Sequence, residues 1–183
     1  MSDPADIHVG MNIEQVDPGV LGELRAALGD GDALGWPAVH AFEERHGVVL
    51  PEPYRSFVAE ISDGSGLGPP DHGLLGLADL PSDWGSDGSE RDLAGSFPLT
   101  GPWLWEGDEE EPGEERLRAV FDDGSIVLGT DGCGMNWHLI VTGPQRGHVW
   151  HISGEGAMPV GAEPGFAGWV RRWAAGEPWF DAG

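Results

Sequence analysis

The sequence predicts an α+β fold in which an antiparallel or mixed sheet packs against N-terminal helices and a C-terminal helix. Three observations predict it. Helical apolar spacing recurs three times in the first 64 residues, glycine-punctuated β patterns fill residues 124–153, and a tryptophan-bearing amphipathic stretch follows near the end.

The first helix is expected to start at Asp17-Pro18, a suitable N-cap followed by a suitable first helical residue, after sixteen residues without periodic structure. Val20, Leu21, Leu24 and Leu28 form its apolar stripe, and Gly29-Asp30-Gly31 stops it. A second helix should run from Trp36-Pro37 to His46, burying Val39 and Phe42, with Gly47 as its left-handed terminator. The third is expected to carry Leu50, Tyr54, Phe57, Val58 and Ile61 inward, with Pro51 and Pro53 in its first turn and Ser62-Asp63-Gly64 closing it.

Residues 63–116 lose periodicity and read as acidic, loop-rich chain around one or two short strands. Strands follow in GSIVLGT, MNWHLIVT and HVWHIS, the last two joined by the turn-like Gly143–Gly147. Pairing Thr142 with Gly147 would set Trp137 opposite Ile152, Leu139 opposite Trp150 and Val141 opposite His148 on a core face. The other face would then present Ile140 with Val149 and His138 with His151. Phe166, Trp169, Val170 and Trp173 define the last helix, with Arg171 and Arg172 near its C-terminus.

The length of 183 residues fits one domain over 1–183. Gly and Pro are abundant, 31 and 15 residues, yet nine tryptophans argue for a packed core rather than a disordered chain. The formal charge is −23, from 32 acidic residues against nine arginines. Such a field repels nucleic acid and anionic membranes and attracts a cationic protein partner. More than half of it, a net −12, falls in residues 63–116. The run Asp108, Glu109, Glu110 and Glu111, followed by Glu114 and Glu115, is a partner-binding candidate, although such runs are more often simply solvated. The start lacks the basic and apolar regions of a secretory signal, and Cys133 is the sole cysteine, so a cytoplasmic protein without disulfides is expected.

Residues HAFEERHGVVLPEPYRSFVAEISDGSG and GSIVLGTDGCGMNWHLIVTGPQRGHVWHIS, followed by the tryptophan-bearing helix, resemble the SUKH superfamily, which includes fungal Smi/Knr cell-wall regulators and many bacterial immunity proteins. The likeness rests on Leu50-Pro51, Tyr54 and Phe57, and then on Gly129, Asp131, Gly132, Gly134, Trp137 and Leu139. Where the family commonly has Asn-Gly-Gly after the third helix, this chain has Ser62, Asp63 and Gly64. The resemblance implies a binding scaffold without shared catalytic residues, acting as an antidote to a toxin such as a nuclease or, alternatively, as a regulatory scaffold.

Other chemistry is weakly supported. A cysteine enzyme built on Cys133, His138 and Asp131 would need a thiolate in an acidic setting that disfavours it. His138 and His151, placed opposite each other, could begin a metal site, but further ligands at zinc spacing are lacking. GTDGCG lacks the Lys and Ser or Thr of a phosphate loop, and Asp122-Asp123-Gly124 reads as a turn. No cofactor, metal or catalytic residue is therefore assigned, and the oligomeric state is left open. With Ile140 and Val149, His138 and His151 would instead make a mixed surface suited to protein binding.

Overall fold

The computed structural model describes residues 14–84, 91–106 and 113–180. Helix α1 spans Pro18–Leu28, α2 Trp36–His46 and α3 Tyr54–Glu60. Strand β1 is Trp103–Leu104 and helix α4 Glu114–Asp122; β2 (Ser125–Gly132), β3 (Met135–Ile140), β4 (Val149–Ile152), β5 (Gly156–Pro159) and α5 (Phe166–Ala175) complete the order. The five strands run antiparallel in the order β1-β5-β4-β3-β2.

Local signals set the first helices as expected. The Asp17 carboxylate accepts the Gly19 N–H at 2.8 Å, Pro18 opens α1, and Gly47 ends α2 in the left-handed region at φ 66°. Helix α3 starts at Tyr54 rather than Leu50, because Pro51 and Pro53 precede the helix instead of filling its first turn. Its apolar set is nonetheless in the core, with Leu50, Tyr54, Phe57, Val58 and Ile61 all at most 2% exposed. Burying an aliphatic side chain this fully contributes about 1.5–3 kcal/mol. The edge of Tyr54 meets Phe166 of α5 at 5.0 Å, and Trp169 lies on Trp137 at 5.6 Å, which fastens the helices to one face of the sheet. Trp173 is only half-buried.

The hairpin register differs by one residue from the expected one. Asn136 lies opposite Ile152, Trp137 opposite His151, His138 opposite Trp150 and Leu139 opposite Val149. The turn is longer than assumed: the hairpin closes where the Ile140 carbonyl accepts the Gly147 N–H, while Val141 and Thr142 leave it to donate to the Gly124 carbonyl. A one-residue slip exchanges partners between faces. Trp150 and Ile152 thus join His138 and Ile140 on one side, and His151 lies against Trp137 on the other, with ring centroids 4.8 Å apart.

The second face is covered as well. Helix α4, absent from the sequence reading, lays Leu117, Val120 and Phe121 on it beside Phe97, Leu99, Trp103 and Trp105. Its helical spacing of apolar residues is overshadowed in the sequence by the acidic run before it. His138 and Ile140 are consequently fully buried, Val149 is fully buried on the opposite face beside Leu139, and the open mixed surface expected of them does not exist. Of the four, only His151 is half-buried.

Candidate partner-binding cleft

The cleft forms where α4 begins. Glu114 and Glu115 stand exposed in its first turn, where carboxylates suit the positive end of the helix dipole. Three and seven residues further on, Leu117 and Phe121 turn toward the sheet. The helix stops at Asp122, and Gly124, at φ 65°, redirects the chain into β2.

Beneath α4 lies a buried polar stack that the sequence did not announce. The Arg91 guanidinium donates to the carbonyls of Phe121 at 3.1 Å and Ser125 at 2.9 Å, lies 4.0 Å from the Asp122 carboxylate and stacks on Trp84 at 5.1 Å. Burial lowers its pKa to about 10 against the pull of Asp122 and Asp123, so it stays charged at neutral pH. Trp84 also meets His138 at 5.8 Å. His138 shares a hydrogen bond with Ser125, and burial, reinforced by Arg91 and His151, holds the imidazole well below its ordinary pKa. It is a neutral core residue.

Outside this stack opens a cleft of about 890 Å³ between the start of α4, loop residues Asp83 and Trp84, and the β2–β3 turn. Asp83, Glu114 and Glu115 are its acidic edge. Among the described residues neither glutamate has an ion-pair partner, whereas Arg118, the cation lining the cleft, lies 3.7 Å from Asp123. Asp83 accepts the Gly134 N–H at 3.1 Å and so ties the loop to the turn. Asn136 forms part of the wall at 4% exposure; its amide donates to the Gly134 carbonyl over a long 3.3 Å, and its Oδ1 has no partner.

Of the residues singled out by sequence, Glu114 and Glu115 reach this cleft, while Asp108, Glu109, Glu110 and Glu111 lie outside the described residues. His138 and His151 face opposite sides of the sheet, so the pair considered for metal does not form. Among the described residues no group of three His, Cys, Asp or Glu side chains could hold a metal ion. Cys133 is exposed in its turn, and His138 sits three strand steps beyond Met135, roughly 10 Å further along. The postulated cysteine–histidine pair is therefore not assembled. His151 instead lies 3.9 Å from Asp131, whose carboxylate also accepts the Trp137 indole N–H at 2.8 Å. Burial lowers the His151 pKa, partly offset by Asp131 and Glu155.

Sequence reasoning missed Asp83, Trp84, Arg91 and Asn136. The first three lie in aperiodic chain, where no spacing signals proximity. The fourth had a signal: Asn136 and His138 alternate with Trp137 and Leu139, which marks a polar face but cannot show that a helix covers half of it.

No described helix is long and apolar enough to cross a membrane. Comparison with curated proteins and with solved structures gives no match. A family model does match, over residues 38–172, from within α2 to within α5 and through both the sheet and the cleft. The chain belongs to the SMI1 / KNR4 family (SUKH-1).

Proposed function

We propose that this protein is a non-enzymatic, cytoplasmic protein-binding domain that neutralises a cognate cationic toxin, such as a nuclease. The observation that carries the reading is the cleft edge, where Glu114 and Glu115 stand exposed and without an ion-pair partner among the described residues, on a chain of formal charge −23. A nuclease is cationic where it meets phosphate, so an acidic surface can occupy that region and be steered to it. Membership of the family is compatible with this role.

The test is co-expression with the protein encoded beside its gene. Restored growth together with a co-purifying basic partner supports the reading; unrelieved toxicity, or no toxin-like neighbour and no stable partner, sinks it. A Cys133→Ala variant should protect as well as the parent, since a binding domain has no use for the thiol. Because Cys133 also lines the cleft, only protection lost while the partner still co-purifies would point to an enzyme.

A further inference from the structure

We propose that the cleft between α4 and the β2–β3 turn is a subsite for an arginine side chain of the cationic protein partner, an assignment that rests on the protein-binding reading above. Apart from Arg118, the charged groups that line the cleft are carboxylates, those of Asp83, Glu114, Glu115 and Asp122. Among the described residues Glu114 and Glu115 are exposed without an ion-pair partner, and Asn136 adds a buried amide oxygen with no hydrogen-bond partner. Arg118 lies 3.7 Å from Asp123 and the Asp122 carboxylate 4.0 Å from Arg91, so each of these charges has an opposite one beside it, and Glu114 and Glu115 set the character of the cleft. A carboxylate-rich acceptor set fits a cationic ligand that only donates, and among side chains charged throughout the neutral range that means arginine or lysine.

Two features favour arginine. The wall includes Trp84 and Phe121, and a guanidinium packs flat on aromatic rings and sheds water more readily than an ammonium. Among the described residues the chain itself uses that contact three times, with Arg91 on Trp84 at 5.1 Å, Arg55 on Trp36 at 5.1 Å and Arg116 on Trp103 at 3.8 Å. The planar fork can also reach acceptors on two elements at once, the carboxylates of α4 and the amide of β3.

Asn136 points to a ligand independently of the carboxylates. Strand alternation aims its side chain at the α4 face, the same face as His138 and Ile140. Folded proteins seldom leave a buried acceptor unpaired. Its Oδ1 is sealed from water, and the amide is held only by the long bond to Gly134, so rotation about its terminal torsion breaks little and turns the oxygen toward an incoming donor.

The experiment is a titration of the isotopically labelled full chain with N-acetyl-argininamide, followed by NMR at the Asn136 side-chain amide and the Gly134 backbone amide. Saturable shifts at both are expected, with no such shifts from the neutral isostere N-acetyl-citrullinamide. Glu115→Lys should weaken binding about tenfold or more while lowering the melting temperature by no more than a few degrees, since a cation in the first turn of α4 opposes the helix dipole, and Asn136→Leu should weaken binding to the same extent. Silence at Asn136 and Gly134, or unchanged affinity in both variants, overturns the subsite. An equal response to N-acetyl-lysinamide overturns the choice of arginine. Failure to find a basic partner in cells would sink the toxin-neutralising reading while leaving argininamide binding intact, so the two failures are distinguishable.

Discussion

Ser125 Oγ and His138 Nδ1 lie 2.9 Å apart on neighbouring strands, and neither residue exposes any surface to solvent. The bond satisfies one ring nitrogen; the other, Nε2, has no partner. Trp84, Arg91 and the covering helix α4 close over the pair, so a proton arriving on His138 would place a second cation beside Arg91 in a site already sealed from water.

Acid should therefore destabilise the fold through His138. Its folded pKa is depressed, so the unfolded chain binds the proton first; the stabilising contribution is complete above the ordinary value of 6.5 and is lost as pH falls from there toward the folded value. The slope is about 1.4 kcal/mol per pH unit for this residue. Urea unfolding at pH 7 and pH 5 should show the loss, and His138→Asn should remove that share of it while costing about 1–2 kcal/mol at pH 7. His46 and His151 also have lowered pKa values and remain in the variant, so the comparison isolates His138. An identical pH dependence in both proteins would contradict the buried neutral state.

The ion pair between α2 and α3 is open to a double-mutant cycle. Arg55 donates to Glu43 through Nε at 2.7 Å and through its terminal nitrogen at 2.8 Å, and Glu43 also accepts the Leu50 N–H at 2.8 Å. Burial raises the Glu43 pKa, but the bonds from Arg55 and Leu50 outweigh it and leave the carboxyl below its ordinary value. Glu43→Leu strands both Arg55 and the Leu50 amide and should cost about 3 kcal/mol. Adding Arg55→Met should recover part of that loss, because the uncompensated charge is gone. Additive losses, read from denaturant midpoints, would show that the pair is not coupled.

These two clusters also mark what the sequence made legible. The helices α1, α2 and α5 were readable because each carries its own start, stripe and stop, as Asp17, Leu24 and Gly29 do for α1. The hairpin strands were readable, but their register was not, since it depends on Val141 and Thr142 bonding to Gly124 at a sequence distance no turn rule spans. Strand β5, the four residues Gly-Ala-Met-Pro, has no β-branched or aromatic side chain and includes a Gly and a Pro, so it carried too weak a strand pattern. Of the cleft, only Glu114 and Glu115 were legible, as members of an acidic run; the buried Arg91 and the partnerless Asn136 acquire meaning only once α4 lies across the sheet.

Gly124 and Gly134 separate backbone strain from crowding. Both hold left-handed dihedrals, φ 65° and 74°, where an alanine pays about 1–2 kcal/mol. A Cβ on Gly134 would meet nothing within 4 Å, whereas one on Gly124 would come within 2.4 Å of the Phe97 nitrogen, 2.6 Å of the Gly95 carbonyl and 2.9 Å of the Thr142 carbonyl. Gly95 and Phe97 belong to the segment that brings Phe97 and Leu99 into the second core, and Thr142 to the chain leaving β3. Gly134→Ala should thus cost about 1 kcal/mol, and Gly124→Ala about 3 kcal/mol or more, in the same denaturation assay. Equal losses would mean that strain alone decides and that the junction of α4 with β2 can yield.

Charge near the cleft should act on the speed of partner capture more than on its persistence. Asp108, Glu109, Glu110 and Glu111 lie outside the described residues, but the chain brings them within a few residues of Glu114 on the cleft edge. Replacing the four by their amides removes attraction that operates before contact, so association should slow by about tenfold at low ionic strength and depend less steeply on salt, with dissociation unchanged. On the proposed function the carboxylates of Glu114 and Glu115 meet the partner directly, so Glu114→Gln with Glu115→Gln should instead alter both rates. Stopped-flow binding to the captured partner across a salt series distinguishes the two. Unchanged association in the four-residue variant would confine that run to keeping the chain soluble, and unchanged dissociation in the double variant would move the contact surface away from α4.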